Sequence, residues 1–184
     1  MTLPMQSRLK SDMFSCVGGK PCGTILNFDI YFSQNNVLRS DPVYTPGDVV
    51  EGYCVVHCKG RLKIDSIEAK FFGRAKANTN AYKDYQTQEL VYFNEDQVVY
   101  EPNFDGEQGL LKDGFHKFKF SFRLPENIPS TFIHYHGYIK YSVKATIIKP
   151  MINQHVERFF TVYSPLDPSE CEPVVNITRF FASL

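Results

Sequence analysis

The stretch FHKFKFSFRLPENIPSTF, Phe115 to Phe132, decides the fold. In it Phe118, Phe120, Phe122 and Leu124 alternate with Lys117, Lys119, Ser121 and Arg123. Successive side chains of an extended chain point to opposite faces, so this pattern predicts a strand with one face on a core and the other in water. Burying each phenylalanine is worth about 1.5–3 kcal/mol before entropic costs. Pro125 has no N–H to give to a ladder and Pro129 restricts the chain again, so pairing is predicted to stop at a corner.

The same period runs outward in both directions. Beyond the corner, YHGYIKYSVKATIIKP sets Ile139, Tyr141, Val143, Ala145 and Ile147 against Lys140, Ser142, Lys144 and Thr146, and QHVERFFTVY reads as a final strand. Upstream, TILNFDIYFS places Leu26, Phe28, Ile30 and Phe32 on one face. A turn is predicted at Thr45-Pro46-Gly47, where proline fixes φ and glycine is free to take a positive φ. DVVEGYCVVHCKG then has high β-propensity and ends in the turn candidate Lys59-Gly60. In RLKIDSIEAKFFGRAKA the apolar face changes near Ser66, which predicts a bulge or bend. Asn78 to Gly109 is polar, Tyr-rich and interrupted, with TQELVYF and QVVYEP as its strand-like pieces, and reads as a long excursion at one end of the sheets with a short hairpin. Asp113-Gly114 supplies one more turn.

No segment carries a helical stripe, and strand-like runs separated by Gly, Pro and Asn turns over 184 residues predict an all-β, immunoglobulin-like antiparallel β-sandwich. Residues 24–165 are assigned to it, with 1–23 as a flexible arm. Hydrophobic content of 43% with 22% charge is that of a folding chain. Twenty basic and twenty acidic residues cancel, which argues against a nucleic-acid binder that blankets phosphates with positive charge. The opening residues have no signal-peptide core and no run approaches the length needed to span a bilayer, so a cytoplasmic protein is expected.

Several constellations invite a chemical reading. Cys54, His57 and Cys58 look like a metal or nucleophile motif. In a strand, however, the two cysteines lie on one face about 13 Å apart with His57 opposite, too far to share a zinc ion with ligand bonds of about 2.3 Å. Five cysteines without a secretory signal favour free thiols; Cys16 and Cys22 lie in the arm, and Cys58 and Cys171 are the candidates for a thiol enzyme. His134 and His136 share a face if extended, with no third ligand close in sequence, and read as polar residues at a loop-to-strand junction. Gly18-Gly19-Lys20 lacks the spacing of a phosphate loop, and the sequon Asn176-Ile177-Thr178 matters only in a secreted protein. Lys59, Arg61 and Lys63 surround a turn and are the candidate contact for an acidic partner or lipid headgroups, against the plainer reading of a solvated hairpin tip. No cofactor, metal or catalytic residue is predicted.

In this order the segments VYTPGDVVEGYCVV, IDSIEAKFFGRAKA, LKDGFHKFKFSFRLPENIPSTF, HGYIKYSVKATIIKP and FFTV resemble the N-terminal domain of the arrestin superfamily, and the α-arrestins (arrestin-domain-containing proteins) more than the visual and β-arrestins. The resemblance implies a sandwich of seven or eight strands, one lobe of a two-lobed non-enzymatic adaptor. Such an adaptor links the cytosolic tails of membrane proteins to ubiquitin ligases and the endocytic machinery, with recruitment to the plasma membrane or endosomes. Residues 166–184 would then be a linker towards a second lobe, making the chain a fragment or a single-lobed relative. The sequence has no Pro-Pro-x-Tyr for a ligase WW domain, since DPVY at Asp41 to Tyr44 lacks the first proline; ligase contact would come from regions outside the chain. The phosphate-sensing charged cluster of visual and β-arrestins has no counterpart here. The competing reading is a stand-alone sandwich binding lipid or carbohydrate, with 16 Phe and 11 Tyr lining a pocket; the absence of tryptophan and of a secretion signal counts against the sugar binder.

Overall fold

The computed structural model describes residues 23–34, 41–81, 84–102 and 109–165. The arm, the linker, Cys16, Cys22, Cys171, Gly18 to Lys20 and the Asn176 sequon lie outside these residues, apart from Gly23 of the arm. Eleven strands occur among the described residues: β1 (Thr24–Phe32), β2 (Val43–Tyr44), β3 (Val49–Lys59), β4 (Leu62–Lys63), β5 (Ser66–Ala81), β6 (Asp84–Tyr100), β7 (Leu110–Leu111), β8 (Gly114–Arg123), β9 (Phe132–His134), β10 (Gly137–Ile148) and β11 (Gln154–Val162). They exceed the seven or eight implied by resemblance, partly through two-residue strands that a sequence period cannot reveal.

A three-stranded sheet, β1-β3-β8, faces a larger sheet ordered β2-β11-β10-β5-β6, in which β9 also pairs with β10; β4 and β7 form a separate ladder. All pairings are antiparallel except β2 with β11. The deciding stretch does what its period predicts. Phe120 is buried, Phe118 and Phe122 are half-buried, and Lys117, Lys119 and Arg123 are exposed. From the small sheet, Phe120 and Phe122 reach Phe71 of the large one at centroid distances of 5.8 and 4.7 Å, and Phe32 meets Phe160 at 6.1 Å. Strand β10 buries Ile139, Tyr141, Val143, Ala145 and Ile147, so the strand, the proline corner and the return strand build both inner faces. At one side the sheets are clasped by Arg158 of β11, whose guanidinium donates to both carboxylate oxygens of Asp29 on β1 at 2.8 and 2.5 Å.

Turn chemistry agrees with the sequence. Gly47 and Gly60 have φ of 83° and 78°, and Asp48 closes the Pro46-Gly47 turn by accepting from the Thr45 backbone N–H at 2.6 Å. The face change near Ser66 is where the chain leaves the β4–β7 ladder and enters the large sheet: the Ile64 N–H donates to the Gly109 carbonyl and the Asp65 N–H to the Ile148 carbonyl.

Two expectations are corrected. On β1 a register shift between Ile25 and Asn27 turns Ile25 towards the core and leaves Leu26 exposed, so the inward face is Ile25, Phe28, Ile30 and Phe32. The supposed excursion within 78–109 is mostly structured sheet. Residues 84–100 are one strand that pairs with β5 along its whole length, from Tyr100 opposite Ile67 to Asp84 opposite Ala81. Its period was hidden by register shifts at Gly73/Arg74 and Ile67/Glu68, which leave Tyr92 and Val99 as extra residues. His134 and His136 lie at a loop-to-strand junction as read from the sequence: His134 ends β9 and His136 lies in the turn before β10.

Candidate functional site

The residues singled out for chemistry are not assembled for it. Cys54 and Cys58 sit on the inward face of β3, both buried and unpaired. Burial pushes the Cys54 thiol up to about 12. The Cys58 thiol is also raised, mainly by burial and then by Asp113, and it donates to the Lys112 carbonyl at 3.0 Å. Raised thiols are poor nucleophiles and poor metal ligands, because both roles need the thiolate. His57 points outward and stacks on Phe115 with centroids 3.9 Å apart. The His136 backbone N–H donates to Nδ1 of His134 at 3.3 Å, which makes the pair a turn-stabilising contact. Among the described residues no cluster of three or more His, Cys, Asp or Glu side chains is arranged to hold a metal ion.

Lys59, Arg61 and Lys63 are all exposed, around one turn: Lys59 ends β3, Arg61 lies in the connection and Lys63 is on β4. A carboxylate stands among them, since Asp113 Oδ2 accepts from the Gly60 N–H at 3.1 Å and offsets part of the local positive charge. The turn presents cations to solvent, and the site has no enclosing wall formed by these three residues.

A more enclosed feature lies on the opposite side of the sandwich from the Arg158–Asp29 clasp. The small sheet has three strands and the large one is wider, so the inner face of β6 overhangs. On this side, among the described residues, strand β8 is the edge of the small sheet and β6 that of the large one. Between them is a cleft of about 570 Å³, floored by Phe71, Phe93 and Phe122 and rimmed by Glu95, Arg123 and Glu126. Phe93 lies 5.2 Å from Phe122, centroid to centroid. Opposite Phe71 and Ala69 on β5, the inward register positions of β6 are Glu95 and Gln97, polar residues where a covered strand would carry apolar ones. Gln97 crosses the cleft: its Oε1 accepts from the Ser121 backbone N–H of β8 at 3.3 Å. Sequence reasoning missed this cleft because β6 read as two separate strand-like pieces with Glu95 between them, so Glu95 and Gln97 were not placed on one continuous face.

The family model described as "Arrestin (or S-antigen), N-terminal domain" matches residues 28–169. Arrestin domain-containing protein 5 of Bos taurus is 32% identical over 114 residues, covering 60% of this chain and 34% of that protein. Arrestin domain-containing protein 1 of Mus musculus is 28% identical over 147 residues, covering 79% of this chain and 31% of that protein. The chain thus spans about a third of the length of these relatives. Among solved structures, the sporulation control protein Spo0M of Bacillus subtilis superposes with a TM-score of 0.53 at 16% identity, over 75% of this chain and 49% of that one, a likeness of fold alone. Among the described residues no helix is long and apolar enough to cross a membrane. The family model covers most of the sandwich, from within β1 to past the end of β11, and the chain belongs to the arrestin family through its N-terminal domain.

Proposed function

We propose that this chain is a non-enzymatic, protein-binding lobe of an arrestin-like trafficking adaptor, which takes up cytosolic tails of membrane proteins and links them to ubiquitination and endocytic sorting. The observation that carries the reading is family membership over residues 28–169. Two features of the residues support it. Of the two thiols that a hydrolase or transferase would use, Cys58 is buried and raised in pKa, and Cys171 lies outside the described residues. The aromatic side chains, which a lipid or sugar carrier would keep as a pocket lining, largely pack on one another in the core: Phe32, Tyr44 and Phe160 form mutual edge contacts at 5.5 to 6.4 Å. In this reading the protein works in the cytoplasm and is recruited to the plasma membrane or endosomes. Ligase and endocytic partners engage regions outside these residues, and the Lys59, Arg61 and Lys63 turn is an auxiliary contact for acidic segments or headgroups.

The test is an array of overlapping peptides from the cytosolic tails of membrane proteins, with extracellular segments of the same proteins as controls, probed with the 184-residue chain. Selective retention on tail peptides is expected. Equal retention on both sets, or none on either, overturns the proposal.

A further inference from the structure

We infer that the cleft between β6 and β8 is a docking site for an extended, basic peptide segment that adds as a strand to the free edge of β8. The inference rests on the protein-binding reading and says where and how a partner is held.

Three observations converge. The first is an open ladder. Among the described residues strand β8 pairs only with β3, and the Leu124 N–H at its end turns towards that side, donating to Asp48 O. The Ser121 N–H turns the other way. Backbone groups alternate in direction along an antiparallel strand, so Lys119 and Arg123 share the Ser121 direction and present N–H and C=O groups to the cleft. A row of such groups is the template that strand addition uses.

The second is a stand-in for the missing strand. Gln97 Oε1 holds the Ser121 N–H at 3.3 Å, where a peptide carbonyl would sit, and a single side-chain amide is a contact that an incoming backbone can displace. The third is the chemistry of the walls. Phe71, Phe93 and Phe122 offer an apolar floor. At the rim, Asp96 is matched by Lys70 at 3.3 Å, whereas Glu95 and Glu126 have no ion pair among the described residues, against the single cation of Arg123. An inward-facing carboxylate on an edge strand guards it against pairing with arbitrary apolar strands. The same carboxylate favours a partner that brings lysine or arginine beside an apolar residue. The occupant is therefore an extended segment alternating basic and β-branched residues, and an acidic segment is rejected.

The test uses the isotopically labelled 184-residue chain and two nine-residue probes: one in which lysines alternate with valines, and its counterpart with glutamate at every lysine position. The lysine probe is expected to bind at least tenfold more tightly and to shift the backbone amides of Lys119, Ser121 and Arg123. Ser121→Pro removes an outward N–H without taking a bond from the β3–β8 ladder and should weaken binding at least tenfold. Should that variant fold poorly, the double variant Glu95→Lys, Glu126→Lys keeps the backbone intact and is expected to reverse the preference between probes. Shifts confined to another edge, such as β1, or a lysine preference that survives the double reversal, overturn the inference. Tail peptides that bind at another edge would leave the adaptor reading standing. Docking of the lysine probe at β8 without any tail binding would do the reverse.

Discussion

The Tyr141 hydroxyl donates to the Pro129 carbonyl at 2.7 Å, tying the middle of β10 to the corner that interrupts the chain after β8. Tyr141 is fully buried, and its ring stacks on Phe93 and Phe160 at 5.8 and 5.9 Å, so one side chain joins the proline corner, the overhanging strand and the clasped edge. Tyr141→Phe keeps the ring and leaves the Pro129 carbonyl without this donor. Chemical denaturation is expected to show a loss of about 1–2 kcal/mol with an unchanged m-value. An unchanged midpoint would mean that the corner holds without the tie.

Gly73 is a glycine that side-chain packing requires. A Cβ there would lie 2.5 Å from Phe93 Cε1 and 2.8 Å from Tyr141 Cδ1, where β5 passes beneath the two rings. Gly73→Ala forces those stacked rings apart and is expected to cost about 1–3 kcal/mol. A thermal midpoint equal to the parent's would contradict this packing.

Tyr44 carries the opposite expectation. Its side chain is buried at 1% exposure and its hydroxyl has no hydrogen-bond partner among the described residues. Removing a buried group that makes no bond removes only a desolvation cost, so Tyr44→Phe should be neutral or stabilising by up to about 1 kcal/mol. Destabilisation by more than that amount in urea would show that the hydroxyl has a role.

Alkaline pH should weaken the fold in a defined window. Burial raises the Cys54 thiol from 9.0 to about 12, and burial, followed by the charges of Asp48 and Glu51, raises Tyr44 from 10.0 to about 12. Both groups hold their protons more tightly when folded. Their contribution is therefore complete below the unfolded values and is lost as pH rises from about 9 towards 12. Urea midpoints at pH 8, 9, 10 and 11 should fall progressively above 9, and Cys54→Val should flatten the first part of that decline. A Cys54→Val curve parallel to the parent's would remove Cys54 from the explanation.

Strict alternation made the sandwich legible, and its breaks hid the candidate site. Phe118, Phe120 and Phe122 could be assigned a face because no bulge interrupts β8. Gly47 and Gly60 marked turns because their conformations suit glycine. On β1 the shift at Ile25/Asn27 exchanged Ile25 for Leu26. On β6 the extra residue Tyr92 merged two faces into the unbroken run Leu90-Val91-Tyr92-Phe93, which shows no period. The cleft depends on Gln97 meeting Ser121, residues brought together by two different sheets, and no local pattern encodes that meeting. What could be read at Lys59, Arg61 and Lys63 was exposure, and the structure adds the Asp113 carboxylate in their midst.

The central claim is that this lobe recognises protein segments. Isothermal titration of the 184-residue chain with the tail peptide retained most strongly on the array tests it most directly. Saturable one-to-one binding, competed by the lysine probe, is the predicted result. No saturable heat with any tail peptide, together with saturable uptake of lipid vesicles, would contradict the claim and return the sandwich to the ligand-carrier reading.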